Sequence, residues 1–331
     1  MKQLLEMDEY NFLKTNLDLE KLIFLVVSGS RAYGTNNEHS DLDLRGIAIE
    51  GKNHIYGLDT FEQFEDRTTD TVIYGLKKFV GLLVKANPNA MELLGVEKNC
   101  IVFANDMGWL LRDNAELFLS KRVISSFGNY ALAQLRRLQN ALCHDSYTEA
   151  EQTKHLRNVL NSQLDHFRNH YSSFPSGAIN IAMENEAQTE LILDIKLGGY
   201  PLKDFVGIAS ELNSIVKTYT KLNHRNNKKD EKALYKHAMH LIRLLMTGTD
   251  ILEGNGIITK RSEEQKLLLD IRDGRYSFDD IFKMTNDYQG KFELASETTK
   301  LPNEPDMNKI NGLLTKIFET NLVIGGGTRS I

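Results

Sequence analysis

A Gly-Ser pair, Gly29 and Ser30, and an Asp-x-Asp, Asp41 and Asp43, stand between two short apolar runs. Phe24 to Val27 precedes them, and Leu44 with Ile47 to Ile49 follows. The spacing reads as strand, tight turn, spacer and second strand. A strand repeats with period two, so Asp41 and Asp43 point to one face and Leu42 and Leu44 to the other. Two ionised carboxylates that close repel each other unless a cation lies between them. Mg²⁺ takes oxygen ligands and binds through one or two carboxylates plus phosphates. Gly29 lets backbone approach a phosphate, and Ser30 and the following amides can donate to it, most usefully if they open a helix. Each piece alone fits a polar-faced edge strand or an ordinary turn. The four in series favour a site for a polyphosphate at one end and its metal at the other.

The same residues carry a family likeness. Apolar-Gly-Ser, a spacer, then apolar-Asp-apolar-Asp-apolar resembles the signature of the DNA polymerase β-like nucleotidyltransferase superfamily. The longer string Gly-Ser-Arg-Ala-Tyr-Gly-Thr with Ser-Asp-Leu-Asp-Leu-Arg-Gly is similar to one branch of it. That branch holds predicted nucleotidyltransferases linked to RNA repair, common in bacteria and phages. Leu76-Lys77-Lys78-Phe79, Asn87-Pro88-Asn89 with Glu92, and more loosely Gly128-Asn129-Tyr130-Ala131 with Gln134 resemble the same branch. The likeness is specific over residues 20 to 95 and diffuse to about residue 310. It implies a polymerase β-like α/β (α+β) head, transfer of an NMP from an NTP, ATP favoured, and an RNA 3′ end as acceptor.

Composition sets broad limits. The 331 residues suffice for one large domain or two. With 41% hydrophobic and 26% charged residues the chain reads as an ordinary globular protein. No apolar run reaches membrane-spanning length, and the acidic N-terminus has no signal-peptide core. Cys100 and Cys143 are too few for a disulfide framework and fit a reducing cytoplasm. The formal net charge of −5 argues against a long non-specific nucleic-acid groove. It leaves room for a local basic patch that grips a short RNA end.

Pattern divides the chain into a catalytic α/β head over residues 1–105, a mostly helical domain over 106–320 and a flexible tail over 321–331. Within the head, residues 8–20 read as a helix, Leu22 to Val27 and Leu42 to Glu50 as strands, and 53–66 as a further strand or hairpin. Asp70 to Tyr74 is a short β-branched strand end. Leu76, Phe79, Val80, Leu83 and Val84 then repeat at helical spacing until Pro88 stops them. Residues 105–170, 203–222 and 230–253 read as helices, 173–201 as loop, and Gly254-Asn255-Gly256 as a helix stop.

Nucleotidyl transfer needs in-line attack on an α-phosphate. Two metals about 3.5–4 Å apart can activate the attacking oxygen and stabilise the leaving pyrophosphate. Asp41 and Asp43 would bridge two Mg²⁺ ions, with Mn²⁺ as a substitute. A third carboxylate completes such a set from a neighbouring strand. Asp70 is favoured because it precedes Thr71-Val72-Ile73-Tyr74; Glu65 and Asp66 are alternatives. Arg31 and Arg45 can neutralise triphosphate charge or brace the carboxylates, and strand parity puts Arg45 on the face of Asp41 and Asp43. Tyr33 can stack on a base or shape the turn. Lys77 and Lys78 can reach phosphate or form a solvated helix face.

In the helical half, Lys236, His240 and Arg243 recur along one helix face, opposite Leu234, Ala238, Leu241 and Leu245. With the basic run Asn223 to Lys229 they can hold phosphates, or serve as a plain solvated stripe. Lys260, Arg261 and Arg272 are weaker basic candidates. His237 and His240 lack a third ligand for zinc, no P-loop string occurs, and no Gly-x-Ser-x-Gly elbow occurs. Two other functions fit the same head: nucleotidylation of a protein or small molecule in an antitoxin-like role, and an inactive nucleotide or RNA sensor. The intact Asp41 and Asp43 weigh against the sensor.

Overall fold

The computed structural model describes all residues except 1–6, 17, 18, 20, 39, 143–148, 172–173, 184–189, 223–230 and 326–331. The chain forms two compact units, residues 1–132 with 238–331, and residues 133–237.

The first unit is built on a five-stranded mixed sheet of order β3-β4-β2-β1-β5. β1 is Leu22–Val27, β2 Leu44–Ala48, β3 Gln63–Asp66, β4 Thr71–Gly75 and β5 Ile101–Ala104. β1 pairs antiparallel with β2 and β5 on its two sides. Both faces of β1 are covered too, with Ile23 to Val27 buried, and Leu-Ile-Phe-Leu-Val-Val supplies apolar residues to each. β2 and β4 run parallel, with Arg45 opposite Val72 and Gly46 opposite Ile73.

The two sheet faces do different work. Leu25, Val27, Leu44, Ala48 and Ile73 pack against Tyr10, Leu13 and Leu19 from the N-terminal segment. On the opposite face Arg45, Val72 and Tyr74 are half-buried and line a cleft. Gly46 lies in the crowded layer, where a Cβ would meet the Phe24 carbonyl oxygen at 2.9 Å.

Helices close the unit. α1 (Phe12–Thr15), α2 (Gly29–Tyr33) and α3 (Lys52–Tyr56) are single turns. α4 (Leu76–Val84) buries Leu76, Phe79, Val80 and Leu83, and α5 (Pro88–Leu94) follows after three residues. Pro88 thus opens the next helix at its first position, and the Asn87 side chain caps it by accepting from Ala90 N–H at 3.2 Å. α6 (Asp106–Asp113) is capped by Asn105, which accepts from Met107 and Gly108 N–H. It packs so closely on β1 that a Cβ on Gly108 would overlap the Ile23 carbonyl.

α7 (Arg122–Leu142) leads into the second unit. There α8 (Glu149–His170), a hairpin of β6 (Ile179–Met183) and β7 (Leu191–Ile195), and α9 (Leu202–Leu222) enclose Phe167, Ile181, Ile208 and Ile215. α10 (Glu231–Glu253) returns the chain to the first unit. α11 (Gln265–Arg272), α12 (Phe278–Thr298) and α13 (Met307–Gly325) complete it.

The α/β head with a helical remainder is as the sequence indicates; several local readings are corrected. Residues 8–20 hold a 3₁₀ turn at Asp8–Tyr10 and the four-residue α1. Residues 52–56 are helical, and only Gln63–Asp66 of the expected 53–66 segment is strand. The segment 173–201 contains the β6–β7 hairpin. α13 extends to Gly325, and the last six residues of the expected tail lie outside the described residues, as do Cys143 and the basic run 223–229.

Candidate active site

β1 ends at Val27, and the chain turns at once. Ser28 is extended, Gly29 has φ +62°, and α2 begins. The Ser28 N–H donates to the Asp43 carbonyl at 2.8 Å, so the β1–β2 pairing continues one step past the strands. Asp41 and Asp43 therefore lie in the extended segment just before β2, not inside it as the pattern suggested. The Asp43 carboxylate sits directly over Gly29. A Cβ there would overlap Asp43 Oδ2 and lie 2.9 Å from Cγ. With a positive φ as well, the position admits little besides glycine.

The turn between β3 and β4 brings in Asp70, a non-glycine residue at φ +45°. Leu44 N–H donates to its carbonyl at 3.2 Å. Arg45 Nη2 contacts its Oδ1 at 3.0 Å, and Arg45 Nη1 donates to its carbonyl. Asp43 and Asp70 share a side-chain hydrogen bond. That bond first, and the Arg45 charge after desolvation has opposed it, holds the Asp70 carboxyl below the usual carboxylate range.

Of the three carboxylates considered from this hairpin, Asp70 is the one beside Asp43. Asp66 is turned into its own loop, accepting from the Thr69 hydroxyl at 2.6 Å. Glu65 contacts Gln63. Asp41 is exposed. Among the described residues no three acidic, His or Cys side chains group as a metal site, so Asp41 does not join Asp43 and Asp70 here.

The loop between the two motifs is pinned from several directions. Arg31, exposed, donates to the Ser40 carbonyl at 3.1 Å and so closes the spacer loop. Ser30, half-buried, offers its carbonyl to Thr35 N–H at 2.9 Å. Gln265 Nε2 donates to the Gly34 carbonyl at 2.6 Å, and Arg272 donates to that of Thr35. α11 thus anchors the segment that leads from α2 towards Asp41.

Asp43 and Arg45 open onto a cleft of about 260 Å³. Its walls are the sheet face of Val72 and Tyr74, the α2 residues Gly29 and Tyr33, and the α5 side of Asn89, Glu92 and Leu93. At its base lies a buried charge network. Arg243 pairs with Glu92 Oε1, their side chains 4% and 3% exposed. Tyr33 donates its hydroxyl to Glu92 Oε2 at 2.8 Å, and the Arg243 guanidinium lies 3.5 Å from the Tyr33 ring centroid. Thr259 donates to the Glu92 carbonyl at 2.8 Å. Burial pushes the Tyr33 phenol far above its usual range, against the opposing pull of Arg243. Burial also works against the Arg243 charge, but Glu92 and Tyr33 raise its pKa above the ordinary value.

The remaining expected phosphate contacts are placed differently. Arg243 is committed to Glu92 inside the unit and is not presented to solvent. His240 meets Tyr33 edge-on, with ring centroids 6.2 Å apart. Lys77 Nζ lies 5.7 Å from the Phe318 ring centroid, and Lys78 pairs with Glu62 at 2.7 Å. Lys236 is exposed and belongs to the second unit. Lys260 pairs with Glu97 at 2.9 Å, and buried Arg261 pairs with Asp250. Sequence reasoning missed Tyr74, Thr259 and Gln265, whose roles depend on contacts between distant segments. It also missed Glu50, a buried carboxylate that accepts the Lys77 N–H at 2.8 Å.

The donor set suits a hard cation. Asp43 and Asp70 offer only oxygen, and carboxylates this close require a shared proton or a positive charge. A strand-turn-helix whose glycine seats a carboxylate, beside a second carboxylate in the turn that leads into the parallel neighbouring strand, is consistent with a polymerase β-like head. Residues 3–160 match the model of the RlaP family, described as the RNA repair pathway DNA polymerase beta family, which supports the RNA-repair-associated branch of the polymerase β-like proteins. No curated protein and no solved structure matches the chain. No helix of the described residues is long and apolar enough to cross a membrane.

Proposed function

We propose that the protein is a Mg²⁺-dependent nucleotidyltransferase that moves an NMP, from ATP by preference, onto the 3′-hydroxyl of an RNA. The observation that carries this reading is the seating of Asp43 on Gly29, beside Asp70 and lining a cleft. The RNA acceptor rests on the family description alone.

Asp43 and Asp70 would hold Mg²⁺, with Asp41 as the remaining carboxylate of the motif. The metal supplies charge neutralisation on the triphosphate and polarises the α-phosphate. The backbone around Gly29 and Ser30 receives the phosphates, and Arg45 adds a positive charge beside Asp70. Asp43 first, and the Arg45 charge after it, favour Asp70 as a carboxylate able to ligate the metal, and the acceptor hydroxyl gives its proton to solvent. The acceptor oxygen then bonds to the α-phosphorus while the bond to the bridging oxygen breaks and pyrophosphate leaves.

The test is incubation with α-labelled NTPs, Mg²⁺ and RNA ending in a 3′-hydroxyl. Label should enter the RNA, and Asp43→Asn should abolish this while keeping the wild-type circular dichroism spectrum. Label entering protein or a small molecule instead would replace the acceptor. NTP binding without label entering any acceptor would turn the reading to a sensor.

A further inference from the structure

The cleft holds more than a phosphate site requires. On the sheet side, Val72 and Tyr74 extend the wall beyond Arg45. On the helix side, Asn89 and Leu93 are four residues apart on α5, so they share one face. Most polar groups in this cleft are already committed. Both Glu92 oxygens are taken, by Arg243 and Tyr33, and the Thr259 hydroxyl is spent on the Glu92 carbonyl. Two polar groups are different. Among the described residues the Asn89 carboxamide and the Tyr74 hydroxyl have no hydrogen-bond partner.

A cleft of mixed lining, with the apolar side chains of Val72 and Leu93 beside an uncommitted amide and phenol, has the chemistry of a planar ring with polar edges. At about 260 Å³ the cleft is smaller than pockets that enclose a drug-sized ligand, and suits one ring system with its sugar. A carboxamide offers one acceptor and one donor side by side, the complement of the adenine amino group and adjacent ring nitrogen.

We propose that this part of the cleft is the nucleobase site for the donor nucleotide, and that Asn89 is its specificity-determining residue, reading an adenine edge. The base lies between the Val72–Tyr74 face and Leu93. Tyr33, whose ring carries Arg243, serves as fixed wall. This inference rests on the nucleotidyl-transfer reading for the placement of the triphosphate at Asp43.

The experiment is equilibrium binding, by titration calorimetry with Mg²⁺ present, of ATP, purine riboside triphosphate and inorganic tripolyphosphate. Purine riboside lacks the 6-amino group. Wild type should prefer ATP over it by roughly tenfold. Asn89→Leu should bind the two alike and leave tripolyphosphate affinity unchanged; Asn89→Ala should repeat this with less change in bulk. Asn89 is exposed, so both variants should fold. An unchanged ATP preference in both variants overturns the proposal, as does an equal loss of tripolyphosphate binding. Because binding is read without turnover, the two ideas separate. Loss of adenine preference with no labelled acceptor upholds the base site and sinks the transfer reading. Labelled RNA with an unchanged preference does the reverse.

Discussion

The Glu92–Arg243 pair offers the sharpest test of how the first unit is held together. Arg243→Met keeps most of the apolar stem but removes the charge. Glu92 is then left in the interior supported by the Tyr33 hydroxyl and no longer by a cation. Removing one partner of a buried pair costs about 3–5 kcal/mol. A unit of this size loses roughly 2–4 °C of Tm per kcal/mol, so the expected drop is about 6–20 °C. Glu92→Gln should cost a similar amount, because it strands Arg243 with only Tyr33 and an amide oxygen. The double variant removes both charges and keeps an acceptor for Tyr33. It should be more stable than either single variant, since neutralising a whole buried pair is often nearly neutral. Urea unfolding followed by fluorescence reads this cleanly, because the one tryptophan, Trp109, lies on α6 in the same unit. Additive costs, with the double variant as unstable as the sum of the singles, would refute the coupling.

Three further outcomes follow from the geometry. Gly29→Ala places a methyl where the Asp43 carboxylate sits and forces a positive φ on alanine; label transfer should fall by about 100-fold or more, while thermal unfolding shifts far less than for Arg243→Met. Gly108→Ala drives a methyl into the Ile23 carbonyl and should cost about 1–3 kcal/mol, measured by urea denaturation, through displacement of α6 from β1. Thr69→Val removes the hydroxyl that, with the Thr69 amide, holds the Asp66 carboxyl below 3.8. A lowered folded pKa contributes stability above the unfolded value that is lost as pH falls through the folded one. The Tm gap between wild type and Thr69→Val should therefore be full at pH 7 and narrow below about pH 3.8; a gap that widens in acid would contradict the assignment.

Much of the sheet is legible because its signals are local. β1 is an unbroken apolar run, and β4 alternates in burial as a strand with one face on the core must. Gly29 and Asp43 both stand out in the sequence, but their direct contact does not: the spacing suggests a phosphate at Gly29, whereas the Asp43 carboxylate lies there. The errors also have causes. Ile55-Tyr56-Gly57 looked extended, but Gly51 and Gly57 bound a single helical turn. β5 is four residues long, too short for alternation to register. β6 and β7 are likewise five residues each and stand among Gly and Pro residues that signal turns. Arg243 is the most instructive miss. On a helical wheel it belongs to a polar stripe with Lys236 and His240, yet Glu92, distant in sequence, draws it into the interior. No periodicity marks a buried charge whose partner lies on another segment.

The first unit is assembled from both ends of the chain, and this has a consequence for its synthesis. Glu92 waits for a partner 151 residues downstream. At about 5–20 residues per second, the ribosome needs roughly 8–30 s to deliver it. Throughout that interval α5 carries a carboxylate meant for the interior, and the segment after α2 lacks Gln265 and Arg272. A chain released at residue 160 would contain every residue of the matched family segment and still lack Thr259 of the cleft lining and the Arg243 that pairs with Glu92. The last third of the polypeptide therefore supplies the first with the cation that meets Glu92 and with the side chains that anchor the loop after α2, and a chain cut short of it should be less stable than the whole.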